Sequence, residues 1–332
     1  MIASLPKWID WLSIQKNCRR APHFDGQTLR LVEAIQFLKG PDFIPADSQP
    51  AQLEFNPDKS GRHFRFPTPR PGNIAENNVV YGRLYRCAER WQERPTIILL
   101  PGRLDYFSHW FKLPLIARRC NRAGFNAATL VLPFQVHRRP LRLSALRGPD
   151  YLRMAETTAQ AVAEIRALTG WLLKEGCPAV ALWGISYGAW LAGLTVCREA
   201  RLAAAVLTIP GVRANPAFGE LVVWRRIRKI LQERRTVWEA LNLTAYNLIT
   251  LPPAIPSKNI LLIDAIHDLF APGHTEELWQ AWGRPDLWRL SHGHISIVCM
   301  TAPGLTGRVL RWLAPRLNTP AVRTGQTMIL PR

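Results

Sequence analysis

The residues in this sequence best suited to chemistry by type and spacing are one serine framed by glycines, and carboxylates and histidines that follow it. The serine is Ser186, in Gly184-Ile185-Ser186-Tyr187-Gly188. Residues 179–183 before it form an apolar segment of strand length, and residues 189–194 after it read as a helix. A serine on a sharp strand-to-helix turn is held in a strained conformation with its hydroxyl exposed. A side chain at 184 or 188 would collide with the neighbouring strand or helix. Small residues at Ala189, Ala192 and Gly193 let the helix lie close to a sheet.

A serine hydroxyl is a poor nucleophile at neutral pH. It needs a histidine to take its proton and a carboxylate to orient that histidine and stabilise its cation. The predicted strand at 259–263 is followed by Asp264-Ala265-Ile266-His267-Asp268-Leu269-Phe270-Ala271-Pro272. The predicted strand at 286–290 is followed by Ser291-His292-Gly293-His294. A carboxylate and a histidine therefore stand at the ends of two successive strands, in the order Ser, Asp, His. Asp264 and Asp268 are the candidate acids, and His292 and His294 the candidate bases. His267 reads as a loop histidine.

The elements that must position these groups follow a regular rhythm. Strands are predicted at 79–87, 96–100, 126–132, 179–183, 203–209, 259–263 and 286–290, and helices at 110–122, 150–175, 275–283 and 305–313. In the helix at 150–175, Met154, Thr158, Val162, Ile165, Leu168 and Leu172 keep three-to-four spacing, so one face is buried. Apolar strands alternating with helices imply an α/β fold with a mostly parallel sheet covered on both faces. Ligands bind such sheets at the carboxyl ends of the strands. Residues 1–75 read as an N-terminal extension packed on the core. It holds helices at 5–18 and 29–38, then a Pro-, Arg- and Gly-dense stretch at 51–75 of irregular or edge-strand character. Residues 76–315 form the main domain and 316–332 a tail. Residues 212–258 are too long for a simple crossover and read as a helical cap insertion. It carries a basic amphipathic helix at 221–231, where Val223, Ile227, Ile230 and Leu231 share a face that Arg225, Arg226, Arg228 and Lys229 largely avoid. A second helix is predicted at 237–249.

From about residue 79 to 313 the chain resembles the α/β-hydrolase superfamily. The resemblance rests on the glycine-framed serine, the Asp-x-x-x-Pro pattern of Asp268 to Pro272, and the Gly-His pair Gly293-His294. Leu99-Leu100-Pro101-Gly102 and Leu132-Pro133-Phe134, with Pro140 beyond, also look like a poorly characterised branch of α/β-hydrolase-domain proteins. The resemblance implies an α/β-hydrolase fold, with Ser186 as nucleophile, Asp268 as acid and His294 as base. It also implies an oxyanion hole, since attack on a carbonyl places negative charge on oxygen. Removing one backbone donor from such a hole costs about 3 kcal/mol. The donors would be Tyr187 and either Arg103 or Leu104, with Arg103 the choice, Gly102 allowing the tight turn and Leu104 then lining the substrate site. Family members often carry His-Gly where this chain has Pro101-Gly102. Arg103 also offers a charge to an anionic substrate. Asp105 and His109 lie near this loop without a role that the sequence defines.

Composition bounds the reading. Hydrophobic residues make up 48% and charged residues 20%, which fits a globular enzyme. The six cysteines include no C-x-x-C pair, which argues against a disulfide framework and for a reducing compartment. No stretch approaches the ~20 apolar residues of a membrane span, and residues 1–15 lack the apolar run of a signal peptide. A cytoplasmic location is the expectation. The net charge of +19 fits arginines on solvated faces; it would also suit an anionic or lipid surface meeting the basic cap helix. No motif for specific nucleic-acid binding accompanies it. The expected activity is serine hydrolysis of a small-molecule acyl substrate, preferably a carboxylic ester, with no cofactor and no metal. The alternatives are a non-catalytic binding protein on the same fold, and a metallohydrolase using His267, Asp268, His274, His292 and His294. Those five lack compact zinc-ligand spacing.

Overall fold

Strands rich in Val, Ile, Leu and Ala alternate with helices through most of the chain, and they assemble into one mixed sheet. The computed structural model describes residues 5–18, 30–41, 43–57, 62–102, 108–140, 150–212, 239–240, 243–299 and 303–318. The described strands are β1 (Glu54–Phe55), β2 (His63–Pro67), β3 (Val79–Tyr85), β4 (Thr96–Leu100), β5 (Asn126–Val131), β6 (Val180–Ile185), β7 (Ala204–Thr208), β8 (Ile260–Ala265) and β9 (Asp286–Leu290). They form a nine-stranded sheet in the order β1-β2-β3-β5-β4-β6-β7-β8-β9. The pairs β1/β2, β2/β3 and β3/β5 are antiparallel, and every pair from β5 through β9 is parallel.

The helices are α1 (Leu5–Cys18), α2 (Leu31–Lys39), α3 (Leu113–Arg122), α4 (Tyr151–Lys174), α5 (Tyr187–Val196), α6 (His274–Ala281), α7 (His294–Cys299) and α8 (Pro303–Leu317). Successive residues of a strand point to opposite faces, so each central strand feeds two cores. Ile98, Leu100 and Leu182 join one core with α2, α4 and α5. Ile97, Leu99, Ala181 and Trp183 join the other with α3 and α8. Burial on both faces is why these strands are apolar runs without alternation. The α/β class with a mostly parallel sheet and helices on both faces is as expected.

The stretch at 51–75 takes the edge-strand form expected for part of it: it supplies β1 and β2, an antiparallel extension ending at the sheet's edge. One expectation changes. The helix expected over 237–249 is not formed over residues 243–250, which turn and make a single 3-10 turn, Leu248–Thr250. Side chains there compete for the backbone. Asn247 Oδ1 accepts from the Ile249 N–H at 3.2 Å, and the Thr250 hydroxyl donates to the Thr244 and Asn247 carbonyls at 3.0 and 2.8 Å. The basic helix expected at 221–231 lies outside the described residues.

A buried ion pair ties the end of β5 to α4. Arg138 and Glu164 are both fully buried. Arg138 donates to both carboxylate oxygens at 2.8 and 2.6 Å, and to the Val131 and Asn77 carbonyls. Thr68 donates its hydroxyl to the same carboxylate at 2.7 Å, which draws in the segment after β2. Removing one partner of such a pair leaves an uncompensated buried charge. Glu164→Ala is therefore expected to lower the unfolding free energy by about 3–5 kcal/mol, read as a fall in the urea midpoint at unchanged slope.

Candidate active site

The chain leaves β6 at Ile185 and enters α5 at Tyr187, so Ser186 alone makes the turn. Its φ is 55° and its ψ −117°, a region that costs a non-glycine residue of order 1–3 kcal/mol. Its neighbours hold it there. Ser186 N–H donates to the Thr208 carbonyl at 2.9 Å, and the Ser186 carbonyl accepts from Trp190 at 3.0 Å. The flanking glycines let three backbones converge. A Cβ at Gly184 would lie 2.2 Å from the Gly188 carbonyl oxygen, and one at Gly188 2.4 Å from that of Leu100.

Two loops bring partners to this turn. The chain after β8 presents Asp268, and the chain after β9 presents His294, the first residue of α7. Ser186 Oγ lies 2.8 Å from His294 Nε2, and His294 Nδ1 lies 2.8 Å from Asp268 Oδ2. With Nδ1 protonated, the imidazole donates to the carboxylate and accepts from the hydroxyl. Asp268 and His294 are each only 9% exposed, so water competes weakly for these bonds. Asp268 Oδ1 accepts from the Phe270 and Ala271 N–H groups at 2.6 and 3.1 Å. Burial by itself would raise the Asp268 pKa. The facing imidazole and the two backbone donors outweigh it and hold the carboxyl below its usual range. The Phe270 ring packs beside the imidazole, centroids 4.8 Å apart.

The rival residues go elsewhere. Asp264 stands on β8 and accepts from the Thr275 side chain, and burial raises its pKa. His292 Nδ1 lies 3.5 Å from Ser296 Oγ, and His267 Nε2 lies 3.2 Å from Ser291 Oγ. His274 accepts from the Val212 N–H at 3.2 Å and so braces the start of the long insertion. Among the described residues no three His, Cys, Asp or Glu side chains are grouped to hold a metal ion.

Tyr187 leads α5, directly after Ser186. Arg103, Leu104 and Asp105 lie outside the described residues. The loop before them is braced by residues that sequence reasoning did not single out for this role. Gln135, 4% exposed, donates to the Gly102 carbonyl at 2.9 Å, and its Oε1 lies 2.8 Å from His109 Nε2. Asp10, buried beneath the His294 loop, was likewise missed. Neither a lone glutamine nor a lone aspartate in a helix carries a sequence signal for such a role.

Comparison with known proteins bears on the fold. The family model described as alpha/beta hydrolase domain containing 18 matches residues 75–236, a span that includes Ser186 and ends before Asp268. An acetyl xylan esterase from Thermoanaerobacterium superposes with a TM-score of 0.57 at 14% identity, over 91% of this chain and 98% of its own. A Pyrococcus furiosus esterase gives 0.52 at 12% identity, over 82% and 97%. The chain has the α/β-hydrolase fold. It is also similar to an uncharacterized protein of Mycobacterium tuberculosis, present in two strains, at 28% identity over 251 residues. The match takes in 68% of this chain and 57% of the relative, so the chain spans little more than half of the relative's length. Among the described residues, no helix is long and apolar enough to cross a membrane.

The charge on Asp268 makes a prediction about pH. A carboxyl whose folded pKa is depressed contributes stability above its unfolded value, and that contribution is lost as pH falls through the folded value. The unfolded value is near 3.8. The difference in unfolding free energy between wild type and Asp268→Asn is therefore expected to be largest near neutral pH and to shrink as pH falls below 3.8. Urea titrations of both proteins across that range measure it.

Proposed function

We propose that this protein is a serine hydrolase that cleaves a carboxylic ester through an acyl-enzyme. The observation that carries the reading is the unbroken line of two 2.8 Å hydrogen bonds from Ser186 through His294 to Asp268. In the first half-reaction Ser186 Oγ attacks the acyl carbon while His294 Nε2 takes its proton. Asp268 holds the Nδ1–H and stabilises the imidazolium. The N–H groups of Tyr187 and Arg103 stabilise the oxyanion, with Gly102 and Leu104 lining the substrate site. The tetrahedral intermediate collapses, and the alcohol leaves with the proton from Nε2. In the second half-reaction water attacks the acyl carbon, gives its proton to Nε2 and releases the acid; that proton returns to Ser186. No cofactor enters either half.

An ester is favoured over an amide on chemical grounds. Its carbonyl is the more electrophilic, and an alkoxide is a far better leaving group than an amide nitrogen, so less assistance is asked of His294. The insertion at 212–258 is assigned as the cap over the substrate site. What supports this is the packing of its described part on α5: the Trp190 indole donates to the Tyr246 carbonyl at 3.2 Å, and their rings meet edge to face with centroids 4.4 Å apart.

Ser186→Ala is expected to lower kcat on p-nitrophenyl esters by on the order of 10⁶ with the circular dichroism spectrum unchanged. Asp268→Asn, which leaves the imidazole without its acceptor, should cost roughly 10⁴. A panel of graded acyl length reads out the pocket. Retained turnover in the Ser186 variant excludes the assignment.

A further inference from the structure

Asp10 stands 284 positions before His294 in the chain, yet its carboxylate touches the backbone of both loops that carry the proposed acid and base. Oδ2 accepts from the His294 N–H at 2.8 Å and from the Leu269 N–H at 3.2 Å. Oδ1 accepts from the Ile295 N–H at 2.8 Å. The residue is fully buried. Burial raises its pKa, and the three N–H donors pull the other way. They are the groups that replace its lost water.

The approach of α1 depends on Gly293. A Cβ at that position would lie 2.8 Å from the Pro6 carbonyl oxygen and 2.9 Å from Asp10 Cγ. The helix therefore sits directly against the turn that presents the imidazole. Leu269 follows Asp268 in the chain, and His294 bears the imidazole itself. A single carboxylate oxygen thus joins the backbones of the two loops whose side chains must meet.

We propose that Asp10 is a positioning residue: it clamps the loops after β8 and β9 together and so sets the His294–Asp268 hydrogen bond on which proton transfer from Ser186 depends. The proposal rests on the serine hydrolase reading above. Asp10 touches no reacting atom. Its carboxylate holds Nδ1 of His294 facing Asp268 by fixing the main chain on either side. A residue that only anchored α1 would change stability and leave the chemistry of the folded protein as it was.

Asp10→Asn keeps the size of the side chain but turns one acceptor oxygen into an N–H₂ that faces backbone donors. The folded variant is expected to lose roughly 10–100-fold in kcat on a p-nitrophenyl ester, the scale of a small misplacement at a reacting group, with KM changed by no more than about threefold. The far-downfield proton resonance of the His294 Nδ1–H should shift or broaden in parallel. Gly293→Ala, which presses on the same carboxylate from the other side, should reproduce both effects and serves if Asp10→Asn does not fold. A folded Asp10→Asn with wild-type kcat and an unmoved resonance overturns the proposal and leaves the hydrolase reading standing. If the wild type turns over no ester, the hydrolase reading fails. The imidazole resonance then decides the clamp alone: a shift supports it and an unchanged signal overturns it.

Discussion

Everything in this structure converges on keeping one imidazole between a hydroxyl and a carboxylate. Each link spans 2.8 Å, and the three residues come from three separate loops. Side-chain packing alone does not hold such a line to a fraction of an ångström. The main chain beneath each residue is fixed instead, by a different device in each case: the positive φ of Ser186 and its glycine frame, the paired N–H donors under Asp268, and the buried Asp10 carboxylate under His294.

These devices share a physical logic. Each is a buried polar or strained feature that would cost stability in isolation. The sheet bears that cost, since its parallel centre is packed with aliphatic side chains on both faces. Support extends to the opposite rim of the site, where Gln135 holds the Gly102 carbonyl at the end of β4. The Arg138–Glu164 pair anchors the chain just beyond Gln135 to α4, so that loop is tied into the core at both ends.

Much of this was legible from residues alone, for reasons of period and punctuation. The bounds expected for α1, β4 and β9 are those observed, because each is a clean apolar run or amphipathic stretch between breakers. The serine turn was legible because its glycines are sterically required. The choice of Asp268 over Asp264 followed from the proline pattern, and the geometry brings Asp268 to His294. Other features left no local trace. β1 has only two residues, too few to carry a strand period, whereas β2 alternates Phe64 and Phe66 with polar neighbours. The helix expected to reach residue 249 does not extend through 243–250, because Asn and Thr side chains take its backbone groups. Asp10 reads as an ordinary polar residue of a helix. Its role exists only when a chain separation of 284 residues is closed in space.

The most direct test is covalent trapping. The intact protein is treated with a fluorophosphonate, which phosphonylates a serine only when a base is in place to take its proton, and the adduct is located by peptide mass spectrometry. The account predicts stoichiometric modification at Ser186, abolished by denaturation beforehand. An unmodified protein, or an adduct at another serine, would contradict it.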